Sequence, residues 1–196
     1  MNHQTLIEHL YEKQMVKFGD FTLKSGAKSA VYMNLREVIA YPTLLKQVSD
    51  LMYAQYVGSK SPTLICGVPY SAMVFATYLS IKHDIPLLIR RKEAKAYGTK
   101  QQVEGVFQAG EECLLLEDVI TSGKSILETV ADLRAVGVVV TQVLGLVDRE
   151  AGAAEVLAKE GIAFHSVLTM RVILDTLYQM KKIPNIFCEQ LGYEPL

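Results

Sequence analysis

The sequence lacks low-complexity tracts, proline-rich linkers and internal repeats, which excludes a disordered chain and a repeat array. Half of its 196 residues are apolar and 21% are charged. A chain of this length buries roughly 70% of the surface that its unfolded form exposes, so it needs no disulfide or metal to hold it together. We therefore predict one domain over residues 1–196.

Long apolar runs are also missing. No stretch approaches the roughly 18 uninterrupted apolar residues that a membrane-spanning helix needs, and the N-terminal residues lack the apolar core of a secretory signal. We expect a soluble, cytoplasmic protein without membrane partners. The net charge of −1 also disfavours general nucleic-acid binding, which depends on a strong basic excess.

Metal-ligand patterns are absent too. The three cysteines, Cys66, Cys113 and Cys188, and the four histidines have none of the spacings that bind metals, so we predict no metal site made of protein ligands. Cys66 and Cys113 fall in predicted buried strands. There a reduced thiol serves as a small apolar side chain.

Strand and helix patterns alternate along the chain. Apolar or β-branched segments beside glycine or proline predict strands at 64–67, 86–90, 113–117, 138–147 and 163–168. Helical periodicity predicts helices at 43–57, 71–82, 151–160 and 169–181, and the spacing of Ile126, Val130 and Leu133 predicts one more that Gly137 ends. This order predicts an α/β fold, a doubly wound parallel sheet covered on both faces, with a core over about 41–182.

The stretch from Leu114 to Ser125, LLLEDVITSGKS, combines an apolar run, two carboxylates and a turn that opens a helix. Hydroxyls and backbone N–H groups at a helix N-terminus attract phosphate. Glu117 and Asp118, placed at the end of the predicted strand, can accept hydrogen bonds from sugar hydroxyls. The stretch therefore predicts a ribose 5-phosphate site, although an ordinary strand, turn and helix cap remains an alternative. The stretch does not match the nucleotide P-loop motif, because Asp118 stands at a position where that motif requires glycine.

This stretch resembles the 5-phosphoribosyl 1-diphosphate (PRPP) motif of type I phosphoribosyltransferases. Phe18 to Asn34 resembles the N-terminal signature of orotate phosphoribosyltransferases, and Arg90 to Gly105 resembles their mobile catalytic loop. Gly67 to Tyr70 and Asp148 to Glu150 follow in matching order, so the similarity spans nearly the whole chain, and it extends to the transferase half of animal UMP synthases.

The resemblance implies a type I phosphoribosyltransferase fold with a small hood made from about residues 1–40 and the C-terminal tail. It implies transfer of ribose 5-phosphate from PRPP to orotate, giving orotidine 5′-phosphate and pyrophosphate in de novo pyrimidine biosynthesis. It further implies Mg²⁺ bound mainly through PRPP and water, and a homodimer with shared active sites. Transfer to another nucleobase and a PRPP-sensing, nucleic-acid-binding regulator remain alternatives.

Site residues follow from the same resemblance, position by position. Those implied in catalysis are Lys95, Glu117 and Asp118. Those implied in PRPP binding are Lys24, Tyr70, Ser71, Arg91, Lys92, Lys95, Tyr97, Glu117, Asp118, Val119, Ile120, Thr121, Ser122, Gly123, Lys124 and Ser125. Those implied in orotate binding are Lys24, Tyr32, Met33, Thr121 and Arg149.

Charge explains two of these assignments. The cationic loop around Lys95 can neutralise the departing diphosphate, although a charge run of this kind is also typical of a solvated face. Arg149 can pair with the orotate carboxylate through its planar guanidinium, or instead form a surface ion pair with a neighbouring acid. Lys24 could likewise be a solvated turn residue.

Three positions depart from the family pattern. Ser71 stands where many bacterial relatives have lysine, and Tyr97 stands where histidine is common. Lys124 replaces a small residue of the phosphate turn; it could add a cation to the site or simply be exposed.

Overall fold

Residues 1–22, 28–92, 102–190 and 192 are described by the computed structural model. Within these ranges the strands are β1 (Val16–Thr22), β2 (Lys28–Met33), β3 (Leu64–Gly67), β4 (Leu87–Arg90), β5 (Val103–Glu104), β6 (Glu112–Ile120), β7 (Val139–Asp148) and β8 (Ala163–Thr169). The α-helices are α1 (His3–Glu12), α2 (Pro42–Tyr53), α3 (Met73–His83), α4 (Lys124–Ala135), α5 (Ala153–Lys159), α6 (Met170–Gln179) and α7 (Asn185–Gln190), and residues Leu35–Ala40 form a 3₁₀ helix. No helix within the described ranges has the length and apolar character to cross a bilayer.

The main sheet has the strand order β5-β4-β3-β6-β7-β8. Strands β4, β3, β6, β7 and β8 are parallel, and the two-residue β5 is antiparallel to β4 at one edge. The chain moves outward from β3 to β4 in one direction and from β6 to β8 in the other. The switch in direction therefore lies between β3 and β6, where open α/β sheets bind ligands at the carboxyl ends of their strands.

Burial explains why these segments form strands and helices. All four residues of β3 are buried, and so are residues 142–147 of β7, as expected for parallel strands covered on both faces. Helix α6 begins where Thr169 accepts a hydrogen bond from the Val172 N–H, and it buries residues at i, i+3, i+4 and i+7 from Met170. The predicted doubly wound α/β fold is confirmed.

Strand β6 is longer than the sequence indicates. Its pairing with β7 continues through Glu117–Gly145 and Val119–Val147 to Ile120–Asp148. Glu117 and Asp118 therefore both lie within the strand, whereas the sequence predicted that the strand ends at residue 117. The longer partner strand supplies the hydrogen bonds that keep this polar segment extended.

The N-terminal residues and the last helices pack together beside the main sheet, and this part is called the hood below. Strands β1 and β2 form a separate antiparallel hairpin, with α1 against α6 and α7 against β2. The rings of Tyr11, Phe18 and Phe187 pack in series, with centroids 6.3 and 5.5 Å apart. One cluster of buried apolar residues extends from Leu6 in α1 to Cys188 in α7, which supports the proposal of a single domain.

The cysteine side chains are core residues. Cys66, Cys113 and Cys188 are buried free thiols. Burial raises the pKa of the Cys66 thiol to about 12 and that of Cys113 well above its ordinary value. Both thiols are therefore unreactive near neutral pH.

Candidate functional site

The turn between β6 and α4 encloses a small cavity of about 90 Å³, lined by Glu117 and residues 119–126. Gly123 precedes the first residue of α4 with a φ of 75°, a left-handed conformation that suits glycine. No side chain caps this helix. The N–H groups of its first turn are thus available to an anion, and the small volume fits a phosphate group.

Glu117 forms the inner wall of this cavity. Its carboxyl accepts hydrogen bonds from Ser125 Oγ at 3.2 Å and from the Asp118 backbone N–H at 3.0 Å. Burial raises the pKa of Glu117 to about 9, and the neighbouring Asp118 adds to the rise. The pair therefore carries less than its full negative charge at neutral pH, which reduces the repulsion that a phosphate ligand would meet.

A second cavity, of about 630 Å³, lies between the hood and the sheet. Its walls come from the β1–β2 hairpin, from the loop after β7 and from α7: Asp20, Phe21, Lys28, Ser29, Ala30, Arg149 and Gln190. The two cations outnumber the one carboxylate. Arg149 is half-buried, and its backbone N–H donates to Ile120 O over 2.8 Å. The cavity thus adjoins the end of β6 and suits a flat, anionic ring.

A third cavity, of about 400 Å³, lies beyond β3 and β4. It is lined by Tyr70, Met73, Ile89, Arg90, Arg91 and Lys92. The Nζ atom of Lys92 lies 4.8 Å from the centre of the Tyr70 ring, and Arg91 Nη1 lies 3.0 Å from Glu104 Oε1. This group of cations suits a polyanion.

The loop that carries Tyr70 is attached to β6. The N–H of Val68 donates to Leu116 O over 2.9 Å. At Gly67 an added Cβ would lie 2.5 Å from the carbonyl carbon and oxygen of Ala72 and 2.6 Å from the Met73 nitrogen, so only glycine fits there. The peptide bond between Pro69 and Tyr70 is cis. The first cavity follows β6, the second includes Arg149 after β7, and the third includes Tyr70 after β3. All three cavities therefore lie at the carboxyl ends of the parallel strands.

Other predicted site residues occupy varied positions. Ser71 is half-buried beside Tyr70, and Thr121, Ser122 and Lys124 are exposed on the turn before and at the start of α4.

Tyr32 lies outside the lining of the 630 Å³ cavity. Its ring centre is 5.6 Å from that of Phe21, which does line the cavity. Met33 pairs with Val16 and packs against the core. Lys24, Lys95 and Tyr97 lie outside the described residues.

Several cavity residues were missed from sequence. Asp20, Phe21 and Lys28 lie within the stretch Phe18 to Asn34, whose resemblance marked the segment without marking these side chains. Gln190 comes from α7 and has no sequence signal, because only tertiary folding brings it near Arg149. Within the described residues no three histidine, cysteine, aspartate or glutamate side chains converge as metal ligands.

Comparison with known proteins identifies close similarities. Residues 36–171 match the model of the phosphoribosyl transferase domain. Uridine 5′-monophosphate synthase of Bos taurus is 44% identical over 180 residues, which make up 91% of this chain and 38% of the bovine protein. The chain thus spans little more than a third of that relative. Orotate phosphoribosyltransferase of Caenorhabditis elegans is 43% identical over 171 residues, 87% of this chain and 75% of the nematode protein.

A solved structure agrees with this similarity. The crystal structure of orotate phosphoribosyltransferase from Aeropyrum pernix superposes with a TM-score of 0.78 at 32% identity. The match covers 91% of this chain and 99% of the archaeal chain. The likeness therefore extends over most of the chain.

Proposed function

The chain belongs to the phosphoribosyltransferase family, and on that premise we propose that it transfers the ribose 5-phosphate group of PRPP to orotate. The products are orotidine 5′-phosphate and pyrophosphate, in de novo pyrimidine biosynthesis. The observation that carries the proposal is the arrangement at the end of β6. An uncapped helix N-terminus, the Glu117–Asp118 pair and the Arg149 cavity adjoin one another there.

The sugar is held by the turn and the acidic pair. The 5′-phosphate of PRPP occupies the 90 Å³ cavity and accepts hydrogen bonds from the first turn of α4. The carboxyls of Glu117 and Asp118 then face the ribose hydroxyls. As positive charge develops on the ribose ring in the transition state, these two groups stabilise it.

The leaving diphosphate belongs in the third cavity. Arg91 and Lys92 supply positive charge there, and Tyr70 and Ser71 border the same space. Negative charge grows on the departing diphosphate, so these cations lower the barrier to its loss. Lys95, predicted to take part in catalysis, follows three residues later in the chain.

Base selection rests on the 630 Å³ cavity. Arg149 can form paired hydrogen bonds with the carboxylate of orotate, a group that uracil and the purines lack. Lys28 adds a second cation, and Phe21 offers an aromatic face for the planar ring. We place Tyr32, Met33, Thr121 and Lys24 around the same base.

Mg²⁺ is part of the proposal. The ion prefers oxygen ligands and keeps several waters, and it commonly bridges substrate phosphates through only one or two carboxylates. The Glu117–Asp118 pair beside the phosphate cavity could supply one or two oxygens, so PRPP and water would provide most of the ligands. When bound, Mg²⁺ would neutralise part of the diphosphate charge.

A homodimer is also proposed. Helix α3 is apolar on several faces, and Ile81 on it is 79% exposed. Tyr70, before this helix, is 68% exposed, and Ile89 on the adjacent β4 is exposed as well. A second copy covering this surface would bury these side chains. We place the enzyme in the cytoplasm, without nucleic-acid or membrane partners.

The decisive experiment measures the loss of orotate absorbance after PRPP and Mg²⁺ are added to the purified protein. Parallel reactions contain hypoxanthine, adenine or uracil instead. Turnover of orotate alone is expected. Turnover of another base with no orotate consumption would replace this proposal with a phosphoribosyltransferase of different base specificity.

A further inference from the structure

We propose that Arg90 is a positioning residue, whose ion pair with Asp132 holds the cationic segment Arg91–Lys92 in place relative to the phosphate cavity. The inference rests on the proposed function and deepens it. Arg90 also lines the third cavity, whereas Asp132 does not, so the Asp132→Asn variant breaks the pair without removing a cavity side chain. Both act through the elements that they join.

The pair connects two walls of the site. Arg90 is the last residue of β4, and its Nε donates to Asp132 Oδ2 over 2.7 Å. Asp132 lies in α4, the helix whose N-terminus forms the phosphate cavity. Arg91 and Lys92, which follow directly, line the third cavity with Tyr70. One ion pair thus joins the helix that holds phosphate to the strand that carries the cations.

Backbone pairing at the end of β4 is confined to the edge of the sheet, where the Arg91 N–H also donates to Gln102 O over 2.8 Å. The parallel pairing of β4 with β3 covers Leu87 and Leu88 only. Beyond Leu88 its ladder partner is the two-residue β5, which pairs with Ile89 and Arg90 at the edge of the sheet. In the described part of the chain, the Arg90 side chain is the ion-pair connection from this strand end to α4.

The burial of the pair argues for a geometric role. The side chains of Arg90 and Asp132 are only 10% and 22% exposed. Removing two charges from water is costly, and well-packed apolar residues often stabilise a protein as much or more. A directional hydrogen bond from a planar guanidinium, by contrast, sets both distance and orientation. Stability alone is therefore a poor explanation for this pair.

A matched control lies on the same helix. Arg134 in α4 pairs with Glu160 over 3.3 Å, and the two side chains are 40% and 51% exposed. This pair joins α4 to the residue after α5, away from β4 and the cations. Substitution of Arg134 removes an arginine ion pair from α4 and leaves the strand end untouched.

The test compares Arg90→Gln, Asp132→Asn, the double variant, Arg90→Lys and the control Arg134→Gln. For each, calorimetry gives the Kd for PRPP with Mg²⁺, and assays give kcat and the KM values for PRPP and orotate. Thermal unfolding shows which variants are folded. In Arg90→Gln we expect the Kd and KM for PRPP to rise about tenfold, equivalent to about 1.4 kcal/mol.

The remaining variants separate positioning from general stability. Arg90→Lys keeps the charge and should recover part of the PRPP affinity, whereas Arg134→Gln should leave it unchanged. The double variant removes both charges of the pair, so it should fold even where a single variant does not. It should keep the PRPP defect, with the orotate KM near wild type. A folded double variant with wild-type PRPP affinity overturns the inference, as does an equal defect in Arg134→Gln.

The two proposals fail in distinguishable ways. If the wild type binds PRPP and consumes no orotate, the proposed function is wrong, and the PRPP Kd values still decide the role of Arg90. If the wild type turns over orotate and the double variant binds PRPP normally, only the positioning role is wrong.

Discussion

Ser125 Oγ donates a hydrogen bond to Glu117 Oε2 over 3.2 Å, so the first turn of α4 is joined directly to β6. The same carboxyl is buried, and its pKa is raised to about 9. A buried acid beside a phosphate-sized cavity lowers stability and is expected where function needs it.

Glu117→Gln should stabilise the protein increasingly as pH rises. Above the ordinary pKa of 4.5 the unfolded chain ionises Glu117, whereas the folded protein keeps it protonated up to about pH 9. The wild type therefore loses stability through this window, and the glutamine variant does not. Thermal unfolding from pH 5 to pH 8 should show a growing Tm advantage, about 2–4 °C for each kcal/mol.

The control for this prediction is Glu155→Gln at an exposed position on α5. It removes the same charge without relieving burial and should give no comparable gain. A Tm difference for Glu117→Gln that is the same at every pH would contradict the prediction. Orotate turnover should fall in Glu117→Gln despite the added stability, because the amide keeps only one of the two carboxyl oxygens that face the ribose hydroxyls.

Arg149→Gln should weaken orotate recognition more than PRPP recognition. Loss of one charge-assisted contact costs about 1.5–3 kcal/mol, or roughly 10- to 150-fold in kcat/KM for orotate. The KM for PRPP should change little. Arg171→Gln is the control, since Arg171 does not line the 630 Å³ cavity. Equal effects of Arg149→Gln on both substrates would argue against a base-selecting role.

Gly123→Ala should raise the KM for PRPP. A left-handed φ costs a residue with a Cβ about 1–2 kcal/mol, and the neighbours of the added Cβ, at 3.6 Å and beyond, are at ordinary contact distance. The effect is therefore one of backbone conformation at the phosphate turn. Gly152→Ala makes the same change before α5, with φ of 86° and open space around it. Both variants should lose similar stability, and only Gly123→Ala should lose PRPP affinity.

Lys95→Ala mixed with Asp118→Asn should recover activity if subunits share active sites. Each variant alone should be nearly inactive. A hybrid dimer would combine an intact loop from one subunit with an intact acidic pair from the other. Activity after subunit exchange, with exchange itself followed by differently tagged chains, checks this. Complete exchange without any recovery would reject shared sites.

Local patterns in the sequence were sufficient for most of the sheet. The segment 64–67 matches β3, because a short apolar run beside glycine has few alternatives. The length of β6 depended on its partner β7, which no local pattern reveals. Arg90 and Asp132 are 42 positions apart, and Gln190 lines the same cavity as Arg149 only because α7 packs there. Contacts of this kind arise from the three-dimensional arrangement.

The larger cavity is walled mainly by the hairpin and α7, whereas the phosphate turn belongs to the sheet. The two parts can therefore vary independently. A protein engineer who wants a different nucleobase accepted has the hairpin side chains and Gln190 to redesign, and can leave the sugar-binding half untouched.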